Sequence, residues 1–170
     1  MTEKYSEKNT AYHEAGHIVV HIEKNVVFGG ATIVPRYDSE GDCFLAGETI
    51  PASPPVNISY TDNAVICLAG PYAEAKLRGC SFLECCDNSE GGDYNQAHKM
   101  VEFEYRINFF VNHCMGEQST ETLYQRYKQE AREIVDKRWN WVEAIAQALL
   151  EYKELTHDQI LKILDDIEEE

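Results

Sequence analysis

The sequence predicts a mainly α (α+β) fold: a helical domain with a small β-hairpin or short sheet after its first helix and a helical bundle at its C-terminal end. Three observations carry this. Tyr12, Ala15, Gly16, Val19 and Val20 recur at helical spacing within residues 8–24. The segment "ATIVPRY" that follows is rich in β-branched and aromatic residues. From Asp93 onward, one helix-compatible run succeeds another with few breakers.

Taken in order, Gly29-Gly30 closes the first helix as a breaker. Residues 31–50 read as extended: Pro35 marks an edge strand or a strand end, "DSEGD" (38–42) a turn, and "CFLAGETI" a returning strand. Three prolines make "PASPPVN" a loop. Thr61 or Asp62 is expected to cap a helix over "NAVICLAGPYAEAKLRG", kinked near Gly70-Pro71 because an internal proline removes a hydrogen bond. "CSFLECCDNSEGG" has little periodicity and reads as a loop. Helices are expected from Asp93 to about Asn112, from Thr120 to Lys137, from Trp139 to Tyr152, and after Thr156 into a frayed acidic end. Phe103, Tyr105, Phe109, Phe110, Trp139 and Trp141 are assigned to packing between helices, with an oligomer surface as the sharper alternative.

At 170 residues with no internal repeat, the chain is expected to form a single domain (1–170), comprising a core over 1–112 and a C-terminal helical region over 113–170. Its formal net charge of −15 disfavours nucleic acid and anionic lipid as partners. No run approaches the ~20 apolar residues of a membrane span. The polar N-terminus "MTEKYSEKNT" lacks the apolar stretch of a signal peptide. The six cysteines show no CxxC spacing, which points to reduced thiols in a cytoplasmic protein and gives little support for a second metal site from Cys80, Cys85 or Cys86.

The chemistry begins in "AYHEAGHIVVHIEK" (11–24). Residues four apart share a helix face, so His13 and His17 can place two imidazole nitrogens on one ion. Glu14, on the adjacent face, can reach a water at that ion without binding the ion itself. Zinc suits such ligands at about 2.0–2.1 Å and lowers the pKa of its water towards about 7, so Glu14 can serve as general base. Catalytic zinc takes three protein ligands and keeps one position open. His21, Glu74 and Asp93 are the candidates for the third. A line of about 12 Å runs from His13 to His21 along the helix, which makes one ion hard to share among all three histidines. HExxHxxGxxH is absent, since Val20 and Glu23 stand where it needs Gly and His. Glu74 lies on a helix, and Asp93 opens one, where it also suits an N-cap.

Several motifs together resemble the peptidase domain of the FtsH-like ATP-dependent zinc metalloproteases. "TAYHEAGH" (10–17) is similar to that family's zinc helix, "TIVPR" (32–36) to the strand after it, and "LAGPYAEAKLRG" (68–79) to its Ala-Gly…Ala-Glu helix. "GGDYNQAHKM" (91–100) resembles the segment bearing the third ligand, and "LLEYKELTHDQILKIL" the end of the helical region. The resemblance covers almost the whole chain in the right order. It implies a helical zincin-like domain with Zn2+ on His13, His17 and Asp93, Glu14 as general base, and Glu74 in a supporting role. Pro71 stands where the family has arginine, His98 where it has a small hydroxyl residue, and no GxxxxGK[ST] nucleotide motif occurs.

The expected function is therefore zinc-dependent endopeptidase activity on flexible or unfolded polypeptides, with Ile33 and Val34 offering a strand edge to the substrate. Without a motor in the chain, folded substrates call for a separate ATPase or unfoldase. A homo-oligomer is a further expected partner. The alternative is a catalytically inactive, zinc-stabilised binding or regulatory module.

Overall fold

The computed structural model describes residues 6–37, 43–44, 47–54, 57–86, 92–110 and 119–168. The expected turn at 38–42 and the helix end at Asn112 lie outside them. Helix α1 spans Glu7–Glu23, and the Ser6 hydroxyl caps it by accepting from the Asn9 amide. Strands β1 (Phe28–Thr32), β2 (Arg36–Tyr37), β3 (Cys43–Phe44) and β4 (Glu48–Pro51) follow. Helix α2 covers Tyr60–Arg78, α3 Phe82–Cys85, α4 Asp93–Phe110, α5 Thr120–Lys137 and α6 Trp139–Tyr152. Strand β5 (Glu154–Thr156) and helix α7 (His157–Glu168) complete the described residues. The fold is mainly α with a small sheet, as the sequence predicts.

The sheet is antiparallel in the order β4-β1-β5. Strand β1 is therefore central: Ala31 faces Thr49 on one side and Leu155 on the other. A separate two-stranded ribbon pairs β2 with β3. Strand β5 falls between two predicted helices and was not expected. It draws the C-terminal helices onto the sheet that follows α1, and one apolar cluster includes Ile18 and Val19 of α1, Leu68 of α2, Tyr127 of α5, Ile145 of α6 and Ile160 of α7.

Helix α2 departs from expectation at its start. Its cap is Ser59, which accepts from the Asp62 amide, so the helix begins before the predicted Thr61 or Asp62. Pro71 sits inside α2, which continues from Tyr60 to Arg78. Helices α1 and α2 approach closely at Gly16, where a Cβ would stand 2.7 Å from the Ala69 carbonyl oxygen. This contact fixes the zinc-type motif on α1 against the middle of α2.

The segment expected to be a loop at 80–92 contains the short helix α3, whose first-turn Glu84 accepts from the Ser81 amide. The aromatic run of α4 also departs from expectation. Phe103, Tyr105, Phe109 and Phe110 are exposed, whereas Trp141 on α6 is buried as core. Among the described residues, no helix is long and apolar enough to cross a membrane.

Candidate metal centre

Helix α1 carries both histidines of HEAGH on the side facing α2. Their rings meet edge to face, with centroids 4.8 Å apart. His17 Nδ1–H donates to the Ile66 carbonyl at 2.7 Å, a partner supplied by α2. His13 Nδ1–H donates to Glu74 Oε2 at 3.3 Å. Both rings are thus held by Nδ1, and Nε2 of each, turned towards Asp93, is the atom that would bind an ion once deprotonated. Metal-binding histidines are oriented by such partners, which also raise their basicity.

Asp93 is the first residue of α4. Its Oδ2 lies 2.9 Å from His13 Nε2 and 3.4 Å from His17 Nε2. Ligand atoms around tetrahedral zinc are separated by about 3.3 Å, from bonds of about 2.0–2.1 Å. The three atoms therefore sit at nearly the spacing one ion requires. Gly70 on α2 keeps the space beside them open. A Cβ there would stand 2.6 Å from His13 Nε2 and would also collide with His17 Nε2. Two imidazoles, each with its Nδ1 held by the protein, and a carboxylate fit a divalent ion, for which three protein ligands leave a fourth position to water or substrate.

Glu14 is buried beside this group. One ligand-type atom from each of His13, Glu14 and His17 falls within 4.8 Å of the others. Asp93 Oδ2 is within 3.4 Å of both histidine nitrogens, which suits it to the third ligand position, with Glu14 beside the group. Thr49 on β4 donates its hydroxyl to Glu14 Oε2 at 3.1 Å. A Cβ on Gly47 would also collide with the Glu14 carboxyl group, so the chain leading into β4 passes directly over it.

The electrostatics follow from burial and proximity. Burial opposes charge on His13, but hydrogen bonds to Asp93 and Glu74 outweigh it and raise its pKa to about 10. His17 is raised in the same way, with the Asp93 charge overcoming burial. Burial would raise Asp93, yet the two imidazoles hold it well below the usual carboxylate range. Burial raises Glu14, and His17 and His13 offset this only in part. A carboxyl group with elevated proton affinity is what a general base at neutral pH requires.

The other expected residues fall as follows. Glu74 sits beneath His13 and is itself held by Arg78, whose Nη1 donates to Glu74 Oε1 at 2.7 Å. His21 faces elsewhere: its Nδ1–H donates to the Val26 carbonyl at 3.3 Å, and its ring packs 5.3 Å from that of Phe28. Burial lowers its pKa to about 4. Ile33 and Val34 lie just past β1, and the amides of both are already engaged. Ile33 is fully buried and its amide donates to the Lys153 carbonyl, while the Val34 amide donates to Thr32 Oγ1. Strand β5 pairs with one side of β1, and β4, the end strand on the other side, reaches Glu14 through Thr49.

The sequence reading missed Arg78, Thr49 and the role of Gly70. Arg78 was legible, because it stands one helical turn from Glu74. Thr49 lies 35 positions from Glu14 on a separate element, and no local pattern marks it.

No family model matches the chain. Among curated proteins, the chain is similar to the ATP-dependent zinc metalloprotease FtsH 2 of Methylacidiphilum infernorum (isolate V4). The two are 28% identical over an alignment of 192 positions that covers 92% of this chain. The chain spans 28% of that protein's length.

Proposed function

We propose that this chain is a zinc-dependent endopeptidase domain that hydrolyses peptide bonds in flexible or unfolded polypeptides. The observation that carries the reading is the meeting of His13, His17 and Asp93 at one point, with Glu14 held beside it by Thr49. The similarity to part of a protein named as a zinc metalloprotease supports the same choice of metal and reaction.

His13, His17 and Asp93 would hold the ion, with Ile66 and Glu74 fixing the two rings. When bound, zinc supplies Lewis acidity, which lowers the pKa of water towards about 7 and favours negative charge on a polarised carbonyl. Glu14 accepts a proton at Oε1, the oxygen that Thr49 leaves free, and delivers it to the departing amine. Thr49 restricts the carboxylate to one orientation through that transfer. Strand β4 gives an extended polypeptide an edge to pair with, and backbone pairing tolerates many sequences. A folded substrate would need an unfoldase activity, which no nucleotide-binding motif within these 170 residues supplies.

Glu14→Gln tests the reading. Zinc-loaded wild-type protein is expected to cleave an unstructured polypeptide such as casein, and the variant is expected to lose turnover while retaining zinc. Equal function in both proteins would favour a zinc-stabilised binding module.

A further inference from the structure

Two thiols lie at the far end of the contacts that support His13. Cys80 and Cys85 are both free, and their sulfurs are 3.4 Å apart. Arg78 Nη1 contacts Cys85 Sγ at 3.4 Å and Glu74 Oε1 at 2.7 Å, and Glu74 accepts from His13. We propose that Cys80 and Cys85 form a reversible disulfide with a low-molecular-weight disulfide as oxidant, and that closing this bond loosens Arg78 from Glu74 and weakens the metal site at His13. The bridge stands independently of the metallopeptidase reading, whereas its effect on zinc rests on that reading.

The local backbone suits closure. The sulfurs must come from 3.4 Å to the roughly 2.05 Å of a disulfide. Gly79 ends α2 in the left-handed conformation, φ 63°, and a Cβ built there meets nothing within 4 Å. Cys80 is the next residue, so it can turn about an uncrowded pivot. Cys85 is fixed in α3, close to the exposed Ser81 and Glu84. The neighbouring Cys86 is directed elsewhere: its thiol donates to the Phe82 carbonyl at 3.3 Å and belongs to the apolar core. The bond that the geometry favours is therefore between Cys80 and Cys85.

The order of attack follows from exposure. Cys80 is partly exposed, whereas Cys85 is buried and burial pushes its thiol up to about 12. The Cys80 thiolate attacks one sulfur of glutathione disulfide, forms a mixed disulfide and releases one glutathione thiolate. Cys85, as thiolate, then attacks the Cys80 sulfur, forms the protein disulfide and releases the second glutathione thiolate. Two protein thiols are oxidised, one small disulfide is reduced, and the two thiol protons pass to the two glutathione thiolates.

The consequence travels through Arg78. Its guanidinium is shared between Glu74 and the Cys85 sulfur. Bond formation draws the Cys85 sulfur towards Cys80 and away from its contact with Arg78. Arg78 immediately precedes the Gly79 pivot, so the same movement disturbs its backbone. Glu74 then loses the partner that fixes the carboxylate beneath His13. Outer partners of this kind typically contribute about 10–100-fold to metal affinity.

The test uses the full chain, reduced and then incubated with glutathione disulfide. Remaining thiols are alkylated and the peptides mapped by mass. Cys80 joined to Cys85, with the other four cysteines alkylated, is expected. Recovery of both as alkylated thiols, or a bridge to Cys86 instead, overturns the proposal. Zinc affinity is then measured by chelator competition. The oxidised protein is expected to bind about tenfold more weakly than the reduced protein. Cys80→Ser should show no response to the oxidant, and Arg78→Gln should show the loss without oxidation. Equal affinities in bridged and reduced protein overturn the coupling. Failure of reduced protein to bind zinc at all defeats the metallopeptidase reading, and the peptide map remains a separate result.

Discussion

Asp93 Oδ2 lies 2.9 Å from His13 Nε2 across a sequence separation of 80 residues. Helix α4 thereby closes a site that α1 alone leaves incomplete. Replacing Asp93 with Ala removes the carboxylate oxygen that lies within 3.4 Å of both imidazole nitrogens. Zinc affinity measured by chelator competition should fall by more than the roughly 100-fold at the upper end of losses from outer partners. Unchanged affinity would place the third ligand elsewhere.

Gly70 gives a prediction that separates metal binding from folding. Alanine is favoured over glycine in a helix interior by about 0.5–1 kcal/mol. At position 70, however, the added methyl group would occupy the space against both Nε2 atoms. Gly70→Ala should therefore retain helical content by circular dichroism while losing stoichiometric zinc by elemental analysis. A variant that binds zinc as tightly as wild type would mean that the ion sits away from α2.

The pH dependence of stability should differ between metal-free and metal-loaded protein. His13 is raised from 6.5 to about 10, so without metal its charged form contributes stability fully present below about 6.5 and lost as pH rises through about 10. Asp93 is depressed, so its contribution is present above its ordinary value of 3.8 and is lost as pH falls through its lower folded value. Zinc must displace the proton on His13, so its binding strengthens as pH rises. The gap in denaturation free energy between zinc-loaded and chelator-treated protein should therefore widen from about pH 6 to about pH 9. A gap that narrows over that range would mean His13 is not a ligand.

Thr49 holds Glu14 without touching the proposed ligands. Thr49→Val keeps the side-chain shape and removes the hydroxyl. Turnover of an unstructured substrate should fall by about 10-fold or more, since a misplaced base loses part of the 10²–10⁴-fold that proton transfer contributes. Zinc content should not change. If turnover is unaffected, Thr49 does not position the base.

The parts of this site visible in the sequence are those set by local geometry. His13, Glu14 and His17 are legible because helical periodicity alone puts them together. Helices α5 and α6 were legible for the same reason, with both spans found where predicted. Asp93 was not decidable by spacing, since a carboxylate at a helix start also reads as a cap. Strand β5 was hidden because three residues between helices gain their conformation from pairing with β1, a partner more than 120 positions earlier. That pairing also explains why Ile33 is buried and its amide occupied, in place of the open edge expected. The aromatic residues of α4 were assigned to packing from their chemistry, but the helix turns Phe103, Phe109 and Phe110 to the surface.

Anomalous diffraction at the zinc absorption edge from crystals of the zinc-loaded protein tests the central claim most directly. One strong peak is expected, about 2.0–2.2 Å from His13 Nε2, His17 Nε2 and a carboxylate oxygen of Asp93. A peak that leaves Asp93 outside bonding distance, or none between the two imidazoles, would contradict the account.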